Sequence, residues 1–339
     1  RTIMKAIKFF AISAMAAAMI TSCSSEDELS QSNYPSDNIV RVTAGVNNAK
    51  TRAEGAGTEM KNDFSLTIVN KNASKYTYTD KVFSKSSGDW ACSETLLWQK
   101  SDALVDIVAF APAQTGKFNG VYAEGSIQPI TYSVAKDQTT ADDKNDLLYY
   151  YAKDFNPGES LDKGKLNIQF NHAFCMIDIV VTLGTEFNKP KVLDDSPIVK
   201  VTLDGTKIAA NVDVKNAATG STTTTAASVV TASETATPTT ITTTKGTFTT
   251  AANAEANAIS RFSCIAIPQK VAANTFKVSL MTAGKRYEWT SDKEITLQSG
   301  YRYTLNLSMG NDVVLLKNGS ISASPWTEGD TGDKPLETD

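Results

Sequence analysis

Residues 38–46 read "NIVRVTAGV" and alternate between two kinds of side chain. From residue 40 onward the even-numbered positions are all small or apolar: Val40, Val42, Ala44 and Val46. The positions between them include an arginine, a threonine and a glycine. A period of two is typical of a β-strand that buries one face and exposes the other. We therefore predict that the body of the chain begins with a half-buried strand over residues 38–47.

The rest of the chain has the same kind of strand-like pattern. Short runs rich in Val, Ile, Thr and Tyr follow one another, and Gly, Asn, Asp or Pro residues separate them. Apolar residues at helical spacing are nearly absent after residue 37. Many short strands with turns between them predict an all-β fold built from sandwiches or barrels.

The length of 339 residues is enough for two domains of ordinary size. The best boundary is the stretch "GTEFNKPKVLDDSPI", residues 184–198, which combines prolines with charged side chains. We predict an N-terminal domain over residues 38–188 and a C-terminal domain over residues 189–339. We interpret the Thr- and Ala-rich residues 219–250 as an insertion in the second domain, most simply an exposed hairpin and alternatively an adhesive loop.

The composition argues against several classes of function. The net charge is −4 and no basic stripe is present, so we expect no nucleic-acid partner. The single histidine, His172, lies in an apolar strand with no acid or cysteine at ligand spacing, which favours a structural, hydrogen-bonded role. Cys175 and Cys264 lie in apolar runs and are predicted to be small core residues without a disulfide framework. We find no catalytic or phosphate-binding motif, and we expect neither enzymatic activity nor a cofactor or metal site.

The N-terminal segment has the pattern of an export signal. Lys5 and Lys8 precede an apolar run over residues 9–20, which is too short for the ~20 residues that span a bilayer. We predict a signal peptide over residues 1–22 and a flexible tether, rich in Ser, Glu and Asp, over residues 23–37.

Cys23 ends the sequence "ITSC", which resembles the lipobox of bacterial lipoproteins. That resemblance implies acyl chains on Cys23, and several chains anchor a protein firmly to a membrane. The following "SSEDE" resembles the acidic signal that sends lipoproteins of Bacteroidetes to the outer face of the outer membrane. The alternative is an ordinary secretory signal with an incidental cysteine.

A polar loop follows the first predicted strand. It reads "AKTRAEG" and carries Lys50 and Arg52 among small residues. Exposed loops of this kind are preferred sites of proteolysis, and a trypsin-like protease would cut after Arg52 or after Lys50. The alternative is an ordinary solvated loop.

Several segments, taken in order, resemble one family. They are "ITSC", the first strand with its "KTRAEG" loop, "NDLLYYYA" (145–152), "LNIQFNHAFCMIDIVV" (166–181), "SGYRYTLNLSM" (299–309) and "SISASPWTEGD" (320–330). This set resembles the fimbrillins, the pilin-like lipoproteins of Bacteroidales type V pili, and the resemblance covers nearly the whole chain.

The resemblance implies two transthyretin-like β-sandwich domains in tandem and a structural, adhesive role at the cell surface. It implies that an arginine-specific, trypsin-like protease removes the N-terminal segment together with the first strand. Arg52 would be the cut site; Arg41 is a weaker alternative because it lies within the strand. Before the cut, the row Val40, Val42, Ala44 and Val46 would fill an apolar groove, and afterwards a strand of a neighbouring subunit would replace it. The implied partners are other fimbrillin subunits, both copies of this chain and accessory pilins, and the outer membrane before cleavage; the surface ligand is not implied.

The C-terminal segment "DVVLLKNGSISAS" (312–324) alternates in part and is the candidate for the exchanged strand. Its predicted anchors are Val313, Leu315, Leu316 and Ile321. The pattern breaks at "KNGS", so two short strands joined by a turn are the alternative.

A different function is also possible for the sequence: a glycan-binding surface lipoprotein that stays anchored and monomeric, with Trp90 or Trp289 on its binding face.

Overall fold

The computed structural model describes residues 33–47, 60, 62–116, 127–189, 191–217 and 228–326. Nearly all regular structure in these residues is β-strand, because β-branched and aromatic side chains alternate with polar ones over most short segments. The strands are β1 (Arg41–Val46), β2 (Phe64–Asn70), β3 (Tyr78–Ser86), β4 (Asp89–Cys92), β5 (Val105–Ala111), β6 (Ile130–Ser133), β7 (Leu148–Phe155), β8 (Lys165–His172), β9 (Cys175–Leu183), β10 (Ile198–Asp204), β11 (Ala209–Val212), β12 (Val230–Ala232), β13 (Ile241–Thr242), β14 (Thr244–Thr249), β15 (Ile259–Ala266), β16 (Lys270–Val271), β17 (Lys277–Thr282), β18 (Arg286–Thr290), β19 (Ile295–Thr296), β20 (Tyr301–Met309) and β21 (Val314–Pro325).

The one α-helical segment in the described chain is α1 (Pro157–Ser160). Asn156 caps its N-terminus by accepting a hydrogen bond from the Gly158 amide. No helix in the described residues is long and apolar enough to cross a membrane. The all-β fold class predicted from the strand pattern is therefore confirmed.

The first half of the chain builds a seven-stranded sheet in the order β1-β8-β7-β5-β2-β3-β4. One face of this sheet packs into a core that includes Phe64, Leu66 and Ile168. Alternate residues of β2 and β5, such as Val69 and Phe110, belong instead to the second core. Both central strands are thus covered on both faces, which explains why every residue of β2 is buried.

The remaining sheets surround that second core and are built mainly from the second half of the chain. The largest is a five-stranded sheet in the order β14-β15-β9-β20-β21, and a four-stranded sheet has the order β13-β10-β17-β18. Cys175 and Cys264 are buried here as predicted, and burial raises the pKa of both thiols. The described cysteines, Cys92, Cys175 and Cys264, are all free thiols.

The strand pairing connects the two halves. β9, which precedes the predicted boundary at residue 188, pairs with β15 and β20 of the second half. β6 leaves the first half and joins β11 and β12 in a three-stranded sheet. The chain from Asn33 onward forms one compact unit. The division into domains at residues 188 and 189 stays a prediction.

The Thr- and Ala-rich segment is not an exposed hairpin in its described part, residues 228–250. Its three strands join three different sheets: β12 pairs with β11, β13 with β10 and β14 with β15. Val230 and Ile241 are buried and anchor the segment to the second core. The prediction of an exposed hairpin was wrong for residues 228–250, because Val230 and Ile241 pack against different elements of the fold; residues 219–227 lie outside the described residues.

Candidate assembly site at the first strand

β1 lies at the edge of the seven-stranded sheet. It pairs in parallel with β8 alone in that sheet, from Arg41 opposite Lys165 to Val46 opposite Phe170. Just before β1, the Val40 amide donates to the Leu96 carbonyl at 2.9 Å. The Trp98 amide also donates to the Asn38 carbonyl at 2.8 Å, and Ile39 forms an antiparallel bridge with Leu97. Release of β1 would therefore break these bonds and the β1–β8 ladder, but would separate no other pair of strands in its sheet.

The inward row of β1 contributes to the first core. Val40, Val42 and Val46 are buried, and Ala44 is partly buried against the same cluster. This row therefore faces the core, and its role as a groove filler stays a prediction. On β8, the inward side chains that belong to this cluster are fully buried: Leu166, Ile168 and Phe170.

The outward row of β1 meets a polar row on β8. The Thr43 hydroxyl donates to the Asn167 side-chain oxygen at 3.3 Å, and the Asn47 amide nitrogen donates to the Asn171 oxygen at 3.1 Å. Between them, Gln169 donates to Asn167 at 2.7 Å. This polar row was not among the predicted site residues, although "LNIQFN" (166–171) alternates apolar and amide side chains and could have indicated it.

Arg41, the alternative cleavage site, is held by an ion pair. Its guanidinium donates two hydrogen bonds to the Asp37 carboxylate, at 2.9 and 2.5 Å. These bonds lower the pKa of Asp37 to about 2. Arg41 is also paired in the β1–β8 ladder. Arg52 and Cys23, the predicted sites of cleavage and lipidation, lie outside the described residues.

The candidate exchange segment, residues 312–324, lies at one edge of the five-stranded sheet, where it forms most of β21. β21 is one strand rather than two, and it pairs with β20. The break in its pattern appears as a register shift opposite Leu305 and Leu307. Of the predicted anchors, Val313 and Leu315 are 50% and 58% exposed. The other two, Leu316 and Ile321, are partly buried against the second core.

His172 has the structural role that its sequence context predicted. Its Nδ1 lies 2.7 Å from the Asp146 carboxylate, and its ring stacks on Trp326 with ring centres 3.9 Å apart. Among the described residues, no three His, Cys, Asp or Glu side chains could together hold a metal ion.

The four tryptophans are all buried or partly buried. Trp98 and Trp326 are buried in the fold. Trp90 and Trp289 are partly buried and pack edge-on against Phe64 and Phe276. The glycan-binding alternative, with Trp90 or Trp289 on its binding face, stays a prediction.

Comparison with known proteins identifies a family and a fold. A family model described as fimbrillin-like matches residues 51–326, and no curated protein matches the chain. A proposed cell adhesion protein from Bacteroides ovatus is similar in structure, with a TM-score of 0.56 and 15% identity over 85% of this chain and 97% of that chain.

Two further solved structures share the fold. A proposed cell adhesion protein from Bacteroides uniformis matches with a TM-score of 0.53 and 14% identity, over 86% of this chain and 100% of that one. A fimbrial protein from Bacteroides vulgatus matches with a TM-score of 0.50 and 16% identity, over 85% of this chain and 99% of that one. At these identities the structures support the fold, and the family match supports the class of protein.

Proposed function

The chain belongs to the fimbrillin-like family, and on that premise we propose that it is a structural subunit of a cell-surface fimbria of the type V pilus class. In this proposal the subunit has no catalytic role. It polymerises with copies of itself and with accessory pilins by donor-strand exchange, and the resulting fibre supports adhesion.

The observation that carries the proposal is the position of β1. It is an edge strand whose inward row lies in an apolar core, and the loop that carries Arg52 follows it in sequence. Loss of β1 would uncover the backbone edge of β8 and the side chains of Leu166, Ile168 and Phe170. Each valine of the inward row contributes about 1.5–3 kcal/mol by its burial. An open edge beside an apolar groove favours the addition of another strand.

The proposed processing begins with export and lipidation at Cys23, which would hold the subunit on the outer membrane. A protease of trypsin-like specificity would then cut after Arg52 and release the tether with β1. Arg41 is the less suitable site, because a protease binds an extended chain whose backbone is unpaired. The backbone of Arg41 is paired with β8 and its side chain with Asp37.

The proposed exchange strand comes from the C-terminal segment of a neighbouring subunit. Val313 and Leu315 are already exposed and would be the first anchors of this segment to contact the neighbouring subunit. Leu316 and Ile321 pack against the second core and would become available only when β21 separates from β20.

Limited digestion with an arginine-specific protease tests this proposal. We expect a new N-terminus at Ala53 and, after incubation, a ladder of species on gels run under mild denaturation. An Arg52→Lys variant keeps the charge but resists the protease, and it should stay monomeric. A cleanly trimmed protein that has lost β1 and remains monomeric would overturn the proposed assembly.

A further inference from the structure

We propose that the outward polar row of β8, formed by Lys165, Asn167, Gln169 and Asn171, selects the strand that enters the groove and sets its register. This inference rests on the proposed strand exchange and adds the chemistry of the incoming strand. The partner is a strand of a second copy of this chain. It carries short hydroxyl or amide side chains at its outward positions and no cation opposite Lys165.

The inward row alone defines the register poorly. It is nearly uniform, with Val40, Val42 and Val46 around one alanine. A slip of one residue would turn the valines outward and is strongly disfavoured, but a slip of two residues keeps every valine in the groove. A second row with unlike positions is therefore needed to distinguish the correct pairing from its two-residue neighbours.

The outward row supplies these unlike positions. Thr43 and Asn47 donate to Asn167 and Asn171, as described above. Gly45, which lies opposite Gln169, has no side chain, and Gln169 bonds instead to Asn167 on its own strand. A two-residue slip would put Thr43 opposite Gln169 and would break both cross-strand bonds.

The first residue of the row, Lys165, destabilises the pairing of β1 with β8. Arg41 lies directly opposite Lys165 in the parallel ladder, and like charges at paired positions are destabilising. Asp37 partly compensates by pairing with Arg41. A strand with a neutral or acidic residue at this position would bind β8 better than β1 does, which favours exchange once β1 has been cut.

The C-terminal segment has the required alternation. Residues 320–324 read "SISAS", with serines at every second position and Ile321 and Ala323 between them. If the small and apolar positions face the groove, the three serines face the polar row. No cation would then lie opposite Lys165.

Peptide binding to the trimmed protein tests the inference. The probes are labelled peptides of residues 38–47, "NIVRVTAGVN", and affinity is read by fluorescence anisotropy at low salt. We expect the Arg41→Glu peptide to bind about fivefold more tightly than the natural one. In a Lys165→Glu protein the order of the two peptides should reverse, and 1 M salt should reduce both preferences.

A double-mutant cycle measures the hydroxyl–amide pair. The peptide change Thr43→Val, set against Asn167→Val in the protein, should give a coupling of about two- to fivefold. The control peptide Val42→Thr changes the inward row and should weaken binding equally for every variant of residues 165 and 167. For register, a Thr43→Cys peptide should crosslink to an Asn167→Cys protein rather than to a Gln169→Cys protein.

The possible results separate the two proposals. A folded, trimmed protein that binds no peptide overturns the groove itself, and with it the proposed function. Binding without charge reversal, coupling or a preferred crosslink overturns the selective role of the polar row and leaves the groove intact. If the trimmed protein does not fold, hydrogen exchange of the β1 amides in the uncut chain tests whether Lys165 weakens the pairing of β1 with β8. Lys165→Glu should slow this exchange several-fold, and an unchanged rate contradicts the inference.

Discussion

His172 ends β8 and connects it to the last described residue of the chain. Its imidazole bonds to Asp146 and stacks on Trp326, whose amide in turn donates to the Gly300 carbonyl at 2.7 Å. The side chain of His172 is almost fully buried, and that of Asp146 is 14% exposed. Removal of the imidazole would leave a poorly solvated carboxylate without its partner.

We expect His172→Ala to lower the free energy of unfolding by about 2–4 kcal/mol, since it removes a charged hydrogen bond and a ring stack together. Urea denaturation followed by Trp fluorescence measures the change. The neighbouring Asn171→Ala, at a more exposed position of the same strand, serves as the control and should cost less than about 1 kcal/mol. Equal stabilities of the two variants would show that His172 has no special structural role.

At the scale of elements, β1 and β21 are the two edge strands that the assembly proposal uses. They lie in different sheets, β1 beside β8 and β21 beside β20. Two of the four predicted anchors on the C-terminal segment are exposed and two pack on the core. The exposed anchors should therefore matter only for assembly, whereas the packed anchors should also matter for the monomer.

We expect Leu315→Ser to change the unfolding free energy of the uncut monomer by less than about 0.5 kcal/mol and yet to reduce polymer formation after trimming. Leu316→Ser should destabilise the monomer by about 1–2 kcal/mol, because its side chain packs on the second core. Thermal denaturation of uncut protein and gel ladders of trimmed protein give the two measurements. Normal ladders from Leu315→Ser would remove this residue from the set of anchors.

At the scale of the whole molecule, the two cores share strands. β2 and β5 contribute side chains to both cores, and β9 and β6 pair with strands of the second half. A cut in the chain between residues 188 and 189 would separate β9 from both of its partners.

We therefore expect neither fragment 38–188 nor fragment 189–339 to fold alone. The first would carry β9 without β15 and β20, and the second would lack the central strand of its largest sheet. Amide proton spectra should show poor dispersion for each fragment and good dispersion for residues 38–339 as the control. Cooperative unfolding of the isolated C-terminal fragment would instead support two autonomous domains.

Local alternation was enough to determine the all-β class, the inward face of β1, the core positions of Cys175 and Cys264 and the structural role of His172. These features depend on side-chain periodicity and on whether a short segment is apolar, and both can be read without knowing what lies opposite. The resemblance of ordered segments to the fimbrillins also predicted the family, and the family match over residues 51–326 confirms it.

Pairing between distant strands was decided only by the tertiary structure. Alternation does not say which strand is the neighbour. The parallel β1–β8 ladder, the pairing of Thr43 and Asn47 with the polar row of β8, and the sharing of strands between the cores were therefore not predictable from the sequence. The Thr-rich segment shows the same limit. Its composition predicted strands, but burial of Val230 and Ile241 against separate elements distributed those strands over three sheets. Long-range packing chooses among partners that local sequence leaves equivalent.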